Sequence, residues 1–250
     1  MEWMYIVYFF IVGLVFGSFY NVVGLRVPKK ESIVRPPSHC PSCEKRLTGM
    51  ELIPVFSYLM QGGKCRNCKV KISPIYLITE IVTGLLFAFA YYQFGFTWEL
   101  AVALLFISLL VIINVSDIAY MLIPDKVLLF FLPFLIVGRM LSPLEPWWDA
   151  LVGAAVGFGI LLLIAIVSKG GMGGGDIKLF FLIGLVLGTL NTLLTLFLAS
   201  VIGMIVGIIV LKARGQGRKT PVPFGPSIAV AAIIVYFYGD QLIDFYLNLF

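Results

Sequence analysis

The chain alternates long apolar runs with short polar breaks, and one long polar stretch interrupts that rhythm near its start. Uninterrupted apolar runs of about 20 residues are long enough to cross the hydrocarbon core of a bilayer as helices. The pattern predicts eight such helices, at roughly 4–25, 75–94, 98–116, 122–141, 147–167, 177–190, 192–211 and 226–247. Residues 26–74 are too polar to join them and form a loop of their own. The expected fold is therefore an all-α membrane protein, a polytopic bundle of about eight transmembrane helices carrying one large loop. The first run lacks a basic segment before it, since Glu2 stands there, and it is too long for a secretory signal. It reads as a retained anchor. Four G-x-x-x-G pairs, Gly13/Gly17, Gly153/Gly157, Gly184/Gly188 and Gly203/Gly207, read as close helix-packing positions.

Composition agrees. Of 250 residues, 60% are hydrophobic and only 12% charged, with a mean hydropathy of +1.03. A soluble domain sits nearer half apolar and a quarter charged, so that class is excluded. Charge adds orientation, because Lys and Arg concentrate in loops on the cytoplasmic side. With the N-terminus outside, loop 26–74 faces the cytoplasm with ten of the 18 basic residues: Arg26, Lys29, Lys30, Arg35, Lys45, Arg46, Lys64, Arg66, Lys69 and Lys71. Lys126, Lys169, Lys178, Lys212, Arg214, Arg218 and Lys219 fall on the same side, and only Arg139 lies outside. This bias accounts for the net charge of +5 without a nucleic-acid partner; the expected partner is the bilayer.

All four cysteines lie in loop 26–74, in "HCPSCEKRL" and "GKCRNCKVKI". Two C-x2-C pairs, separated here by 21 residues, supply four thiolates to a tetrahedral structural zinc site. Cys40, Cys43, Cys65 and Cys68 are the expected ligands. Disulfides are the main rival, disfavoured in a loop facing the reducing cytosol, and a catalytic dithiol would not need two pairs. His39, the only histidine, reads as a bystander. A polar loop of this length has little core, so a metal would supply its folding energy.

Two acids stand out at span ends: Asp117 in "NVSDIAYMLIPD" and Asp176 in "GMGGGDIK". The topology puts both at the cytoplasmic face. Ionisable groups at the edge of a span mark functional sites by default. Two carboxyls that share a site hold one proton between them, one activating water while its protonated partner polarises a carbonyl. Gly171, Gly173 and Gly175 would let a substrate peptide approach Asp176. The bland alternatives are that Asp176 caps the helix after it and that Asp117 pairs with Lys126 or Lys178. Asp125 reads as a cap for the fourth span. A phosphate loop is excluded, since no Gly-Lys-Ser/Thr follows the glycines.

On these residues the chain resembles the type IV prepilin peptidase family across nearly its whole length. The resemblance rests on "GSFYNVVGLRVP", "CPSC", "LIPVFSYL", "GKCRNC", "ISPIYLITE", "DIAYMLIPD", "GMGGGDIK" with its G-x-G-D motif, and "PFGPSIA" at Pro223–Ala229. "IYLITE" departs from the Arg-Tyr-Pro segment of many members. The resemblance implies a membrane-embedded aspartic endopeptidase of a bacterial inner or cytoplasmic membrane. It would remove the leader of prepilins or pseudopilins at the cytoplasmic face, then N-methylate the new N-terminus with S-adenosylmethionine. It implies a catalytic dyad of Asp117 and Asp176, metal-binding cysteines, and a methyl-transfer role for Gly63, Lys64 and Glu80. It also implies three parts: a first helix at 1–25, a zinc loop and candidate methyltransferase region at 26–74, and a peptidase bundle at 75–250. A peptidase without methyl transfer and a proton-coupled transporter using the two acids are the alternatives. A presenilin-type protease would need a Pro-Ala-Leu motif that this sequence lacks.

Overall fold

The structure is a computed structural model that describes residues 2–169, 171–214 and 223–248. Arg218 and Lys219 of the charge count lie outside the described residues, as does the side chain of Arg214. The described residues are helical, with no strand and only two isolated bridges in the loop. The helices are α1 (Glu2–Arg26), α2 (Phe56–Met60), α3 (Pro74–Phe94), α4 (Trp98–Tyr120), α5 (Asp125–Leu141), α6 (Asp149–Val167), α7 (Gly174–Arg214) and α8 (Gly225–Leu247). Six of them, α1, α3, α4, α6, α7 and α8, are long and apolar enough to cross a membrane.

Two local causes separate six from the expected eight. Met121 turns at φ +51° and Pro124 stands at the N-cap, so α5 starts at Asp125 rather than at 122 and has 17 residues. At 1.5 Å per residue it is about 25 Å long, at the lower limit of the lengths that cross a bilayer. The sixth and seventh expected spans are the two arms of α7, which meet at a non-helical break at Gly188 (φ 76°, ψ −175°) rather than at 191. Asp149, at the start of α6, accepts hydrogen bonds there from Thr189 N (3.1 Å) and Thr189 Oγ1 (2.6 Å). An acid borrowed from another helix thus caps the restart after the break.

The chain divides into two compact units, residues 1–115 and 116–250. In the first, α1 packs along α3 with backbones nearly touching. A Cβ on Gly13 would stand 2.7 Å from Gly84 Cα, and one on Gly17 2.8 Å from Glu80 Cα. Phe9 stacks on Tyr91 at 4.9 Å, fastening the start of α1 to the end of α3. Ser73 caps α3 by accepting from Ile75 N, with Pro74 following at the first turn. In the second unit, α7 packs against α5, α6 and α8. Gly153 faces Gly184 and Gly188 on α7, and Gly157 faces the Phe180 carbonyl. Three of the four G-x-x-x-G pairs therefore act as the sequence predicts. In the fourth, Gly203 receives the Phe224 ring but Gly207 faces open space. Arg139, the one basic residue assigned to the outer side, is buried and donates to the Val186 carbonyl at 2.6 Å.

Candidate active site and metal centre

α4 continues past the expected end of its span, so Asp117 lies in its last turn, 7% exposed. The chain leaves the helix through Met121, whose N–H bonds the Asp117 carbonyl at 2.8 Å. Asp176 is the third residue of α7, half-buried, and the two carboxylates lie within Coulombic range of each other. A third element fixes one of them: the backbone N–H of Gly225, the first residue of α8, donates to Asp117 Oδ2 at 2.8 Å. A Cβ at residue 225 would stand 2.7 Å from that same oxygen. Only a residue without a side chain brings this N–H so close.

The Lys178 pairing and the two cap readings resolve from the same geometry. Lys178 is bonded to Asp125 Oδ2 at 2.7 Å, not to Asp117, and both side chains are more than half exposed. Asp125 is the first residue of α5 rather than its cap, a position held by Pro124. Asp176 lies inside the first turn of α7, with its Oδ2 3.0 Å from where a Cβ of Gly173 would stand. Of the three loop glycines, Gly173 alone borders the carboxylate. Gly175 makes room for Ile123, and Gly171 packs on Ser168. An apolar groove of about 280 Å³ opens beside Lys178, walled by Leu128, Leu132, Phe158 and Phe181.

The cysteines converge as well. Their four Sγ atoms lie within 4.8 Å of one another, with Cys40–Cys68 at 3.7 Å and Cys43–Cys65 at 3.9 Å. All four are free thiols. A tetrahedron of sulfurs about 2.3 Å from a central zinc has edges of ~3.8 Å, so the donor set fits such an ion. The cage is built from one knuckle used twice, 25 residues apart. Cys40 N bonds the Lys45 carbonyl and Glu44 N the Cys40 carbonyl; Cys65 N bonds the Val70 carbonyl and Lys69 N the Cys65 carbonyl. Glu44 (φ 54°) and Lys69 (φ 61°) turn the two knuckles alike, and His39–Arg46 and Lys64–Lys71 close them with matching bridges. His39 bonds the Pro37 carbonyl and is not in the cage. The Lys45 backbone N–H, helped by the Asn67 side chain, pulls the Cys43 thiol down to about 6, toward the thiolate a metal needs.

The methyl-transfer residues divide. Gly63 (φ 66°) and exposed Lys64 form the turn entering the second knuckle. Glu80 is buried on α3 and accepts the Val55 backbone N–H at 2.7 Å.

Residues 11–94 match the model of the bacterial peptidase A24 N-terminal domain, and residues 104–208 match that of the type IV leader peptidase family. A prepilin leader peptidase/N-methyltransferase of Bacillus subtilis (strain 168) is 47% identical over 240 residues, 96% of this chain and 97% of the relative. The chain belongs to the type IV leader peptidase family. Relatives with the same description come from Xanthomonas campestris pv. campestris, 36% identical over 95% of this chain and 92% of the relative, and from Pseudomonas aeruginosa, 34% identical over the same shares. No solved structure matches. Within this leader peptidase, sequence reasoning singled out "PFGPSIA" but assigned it no task. The Gly225 N–H on Asp117 is what that block supplies. The glycine followed by Pro226 was the available signal for a helix start that brings its first N–H groups to bear on a neighbour.

Proposed function

We propose that the protein is a multi-pass membrane endopeptidase that removes the leader from prepilins or pseudopilins and then methylates the new N-terminal amine. The observation that carries the reading is the pairing of Asp117 and Asp176, two acids 59 residues apart in sequence brought within Coulombic range in a family of leader peptidases. One carboxylate takes a proton from water as the water oxygen attacks the scissile carbonyl. The other, protonated, donates to that carbonyl oxygen, and the departing amine leaves with a proton from the pair. Gly225 holds Oδ2 of Asp117, leaving the other oxygen for water. Both acids act at the cytoplasmic face in this reading, supported by the ten basic residues of loop 26–74.

Cys40, Cys43, Cys65 and Cys68 hold a structural zinc, supported by the match of their sulfur spacings to a tetrahedral edge. S-adenosylmethionine supplies the methyl group, and exposed Lys64 fits the carboxylate of such a donor. A free α-amine titrates near roughly 7.7–8.0 and must be neutral to attack, so Lys64 would also discourage its protonation.

Mass spectrometry of a prepilin substrate, incubated with purified protein with and without S-adenosylmethionine, tests both halves. A leader-free product that gains one methyl group only with the donor is expected. Leader removal without methylation would leave a peptidase alone and remove Gly63, Lys64 and Glu80 from the site. Intact substrate from folded protein would sink the peptidase reading.

A further inference from the structure

Loop 26–74 contains a stretch unlike the rest of it. From Leu52 to Gly63, "LIPVFSYLMQGG", there is no charged residue, the longest such interval in a loop otherwise dense with Lys and Arg. In water this segment should turn its apolar side chains inward. It does the reverse: Leu52 is 44% exposed, Phe56 53%, Leu59 64% and Met60 66%. Phe56, Leu59 and Met60 are spaced to share one side of α2.

The anchoring of the segment explains this. Val55, held at φ 61°, gives its N–H to Glu80, six residues along α3 from Pro74. At the helical rise, the Cα of Glu80 lies about 9 Å down α3 from its first residue. The neighbouring helix gives an independent measure. Gly17 of α1 packs directly on Glu80 and lies nine residues before Arg26, or about 14 Å along α1. α3 and α1 are each long enough to cross a hydrocarbon core of about 30 Å. Val55 is therefore anchored well inward from the ends of both helices.

We propose that residues 52–62 form a re-entrant hairpin embedded in the bilayer leaflet next to loop 26–74, with Phe56, Leu59 and Met60 among the acyl chains. Irregular backbone survives at that depth only if its polar groups are satisfied. Here Val55 N goes to Glu80, Ser57 N to the Ile53 carbonyl, Leu59 N to Val55, Gln61 N to Ser57 and Gly63 N to Tyr58. The charges around it suit the same partner. Residues 26–74 carry ten Lys and Arg against three acids, Glu31, Glu44 and Glu51, complementary to an anionic leaflet surface. One consequence is that Lys64, just past the hairpin, stands at the membrane surface, where an amine freed from a membrane-held substrate emerges. The inference rests on α1 and α3 crossing the bilayer and not on either catalytic assignment.

Full-length protein carrying p-benzoylphenylalanine in place of Leu59 would be placed in nanodiscs of mixed phosphatidylcholine and phosphatidylglycerol, irradiated and weighed intact. The control carries the probe in place of Glu44, exposed in the first knuckle. Retained metal at the four cysteines shows that each variant is folded, and a probe at Met60 repeats the test one residue on. Position 59 should gain the mass of one phospholipid with roughly tenfold the yield of position 44. Equal yields, or capture at 59 of an added prepilin peptide or a second copy of the chain in place of lipid, would overturn the proposal.

Discussion

The four-cysteine cage and the aspartate pair are both small clusters of ionisable side chains, yet they are assembled in opposite ways. Each half of the cage closes within a few residues: a C-x2-C pair, a left-handed turn at Glu44 or Lys69, and two backbone hydrogen bonds, repeated 25 residues on. The aspartate pair has no local geometry at all. It takes Asp117 from the end of α4, Asp176 from the start of α7 and an N–H from the start of α8, and only helix packing brings these together. A site closed over short loops depends on its ligand and little else. A site spread over three helices depends on every close contact that fixes those helices.

The sharpest separation comes from the acids themselves. Asp117→Asn or Asp176→Asn keeps the shape of the side chain but removes a carboxylate, so prepilin cleavage should fall by a factor of about a thousand. Metal content should stay unchanged in both. Cleavage retained by both single variants would dissolve the dyad. Cys40→Ser or Cys65→Ser should do the converse, emptying and unfolding the cage while the helices remain, as measured by metal stoichiometry and helical content. Full metal occupancy after either change would end the metal assignment.

The same contrast decides how much was legible in the sequence. The cage was readable because residue type and spacing carry all its information, down to His39 as a bystander. The acids were readable because a charge near a span end is costly enough to need a reason. Their surroundings were not. A backbone N–H has no letter of its own, so Gly225 could be noticed within "PFGPSIA" without its bond to Asp117 being visible. The break in α7 was expected three residues late, because the restart after Gly188 is capped by Asp149, forty residues before Thr189 and across the α6–α7 packing. Asp125 looked like a cap because it begins a helix, but its carboxylate is engaged by Lys178 on α7.

Substitutions at those two glycines measure how far a dispersed site depends on its packing. In Gly225→Ala the new methyl enters the space of Asp117 Oδ2, 2.7 Å away, and the N–H must withdraw. Cleavage should drop roughly tenfold to a hundredfold, carried by kcat with KM near its normal value. A change confined to KM would assign Gly225 to substrate binding instead. Gly188→Ala forces a side chain into φ 76° and against the Asp149 carboxylate. It should cost about 1–3 kcal/mol, seen as a lower melting temperature, with cleavage reduced only in proportion to the folded fraction. An unchanged melting temperature would mean that the break does not need glycine.

The smallest effect should come from the charge nearest the site. Lys178 is two residues beyond Asp176, and its ammonium is one of the two that the sequence offers to Asp117. Its partner is Asp125, and with side chains 52% and 57% exposed the pair is screened and solvated. Exposed ion pairs contribute about 1 kcal/mol or less. Lys178→Met, which keeps the length of the side chain, should therefore leave cleavage within about twofold of normal and change little with added salt. If it instead abolished cleavage as Asp117→Asn does, the lysine would be holding a carboxylate of the dyad during turnover. The aspartate pair would then have to be redrawn as a triad of two acids and a base.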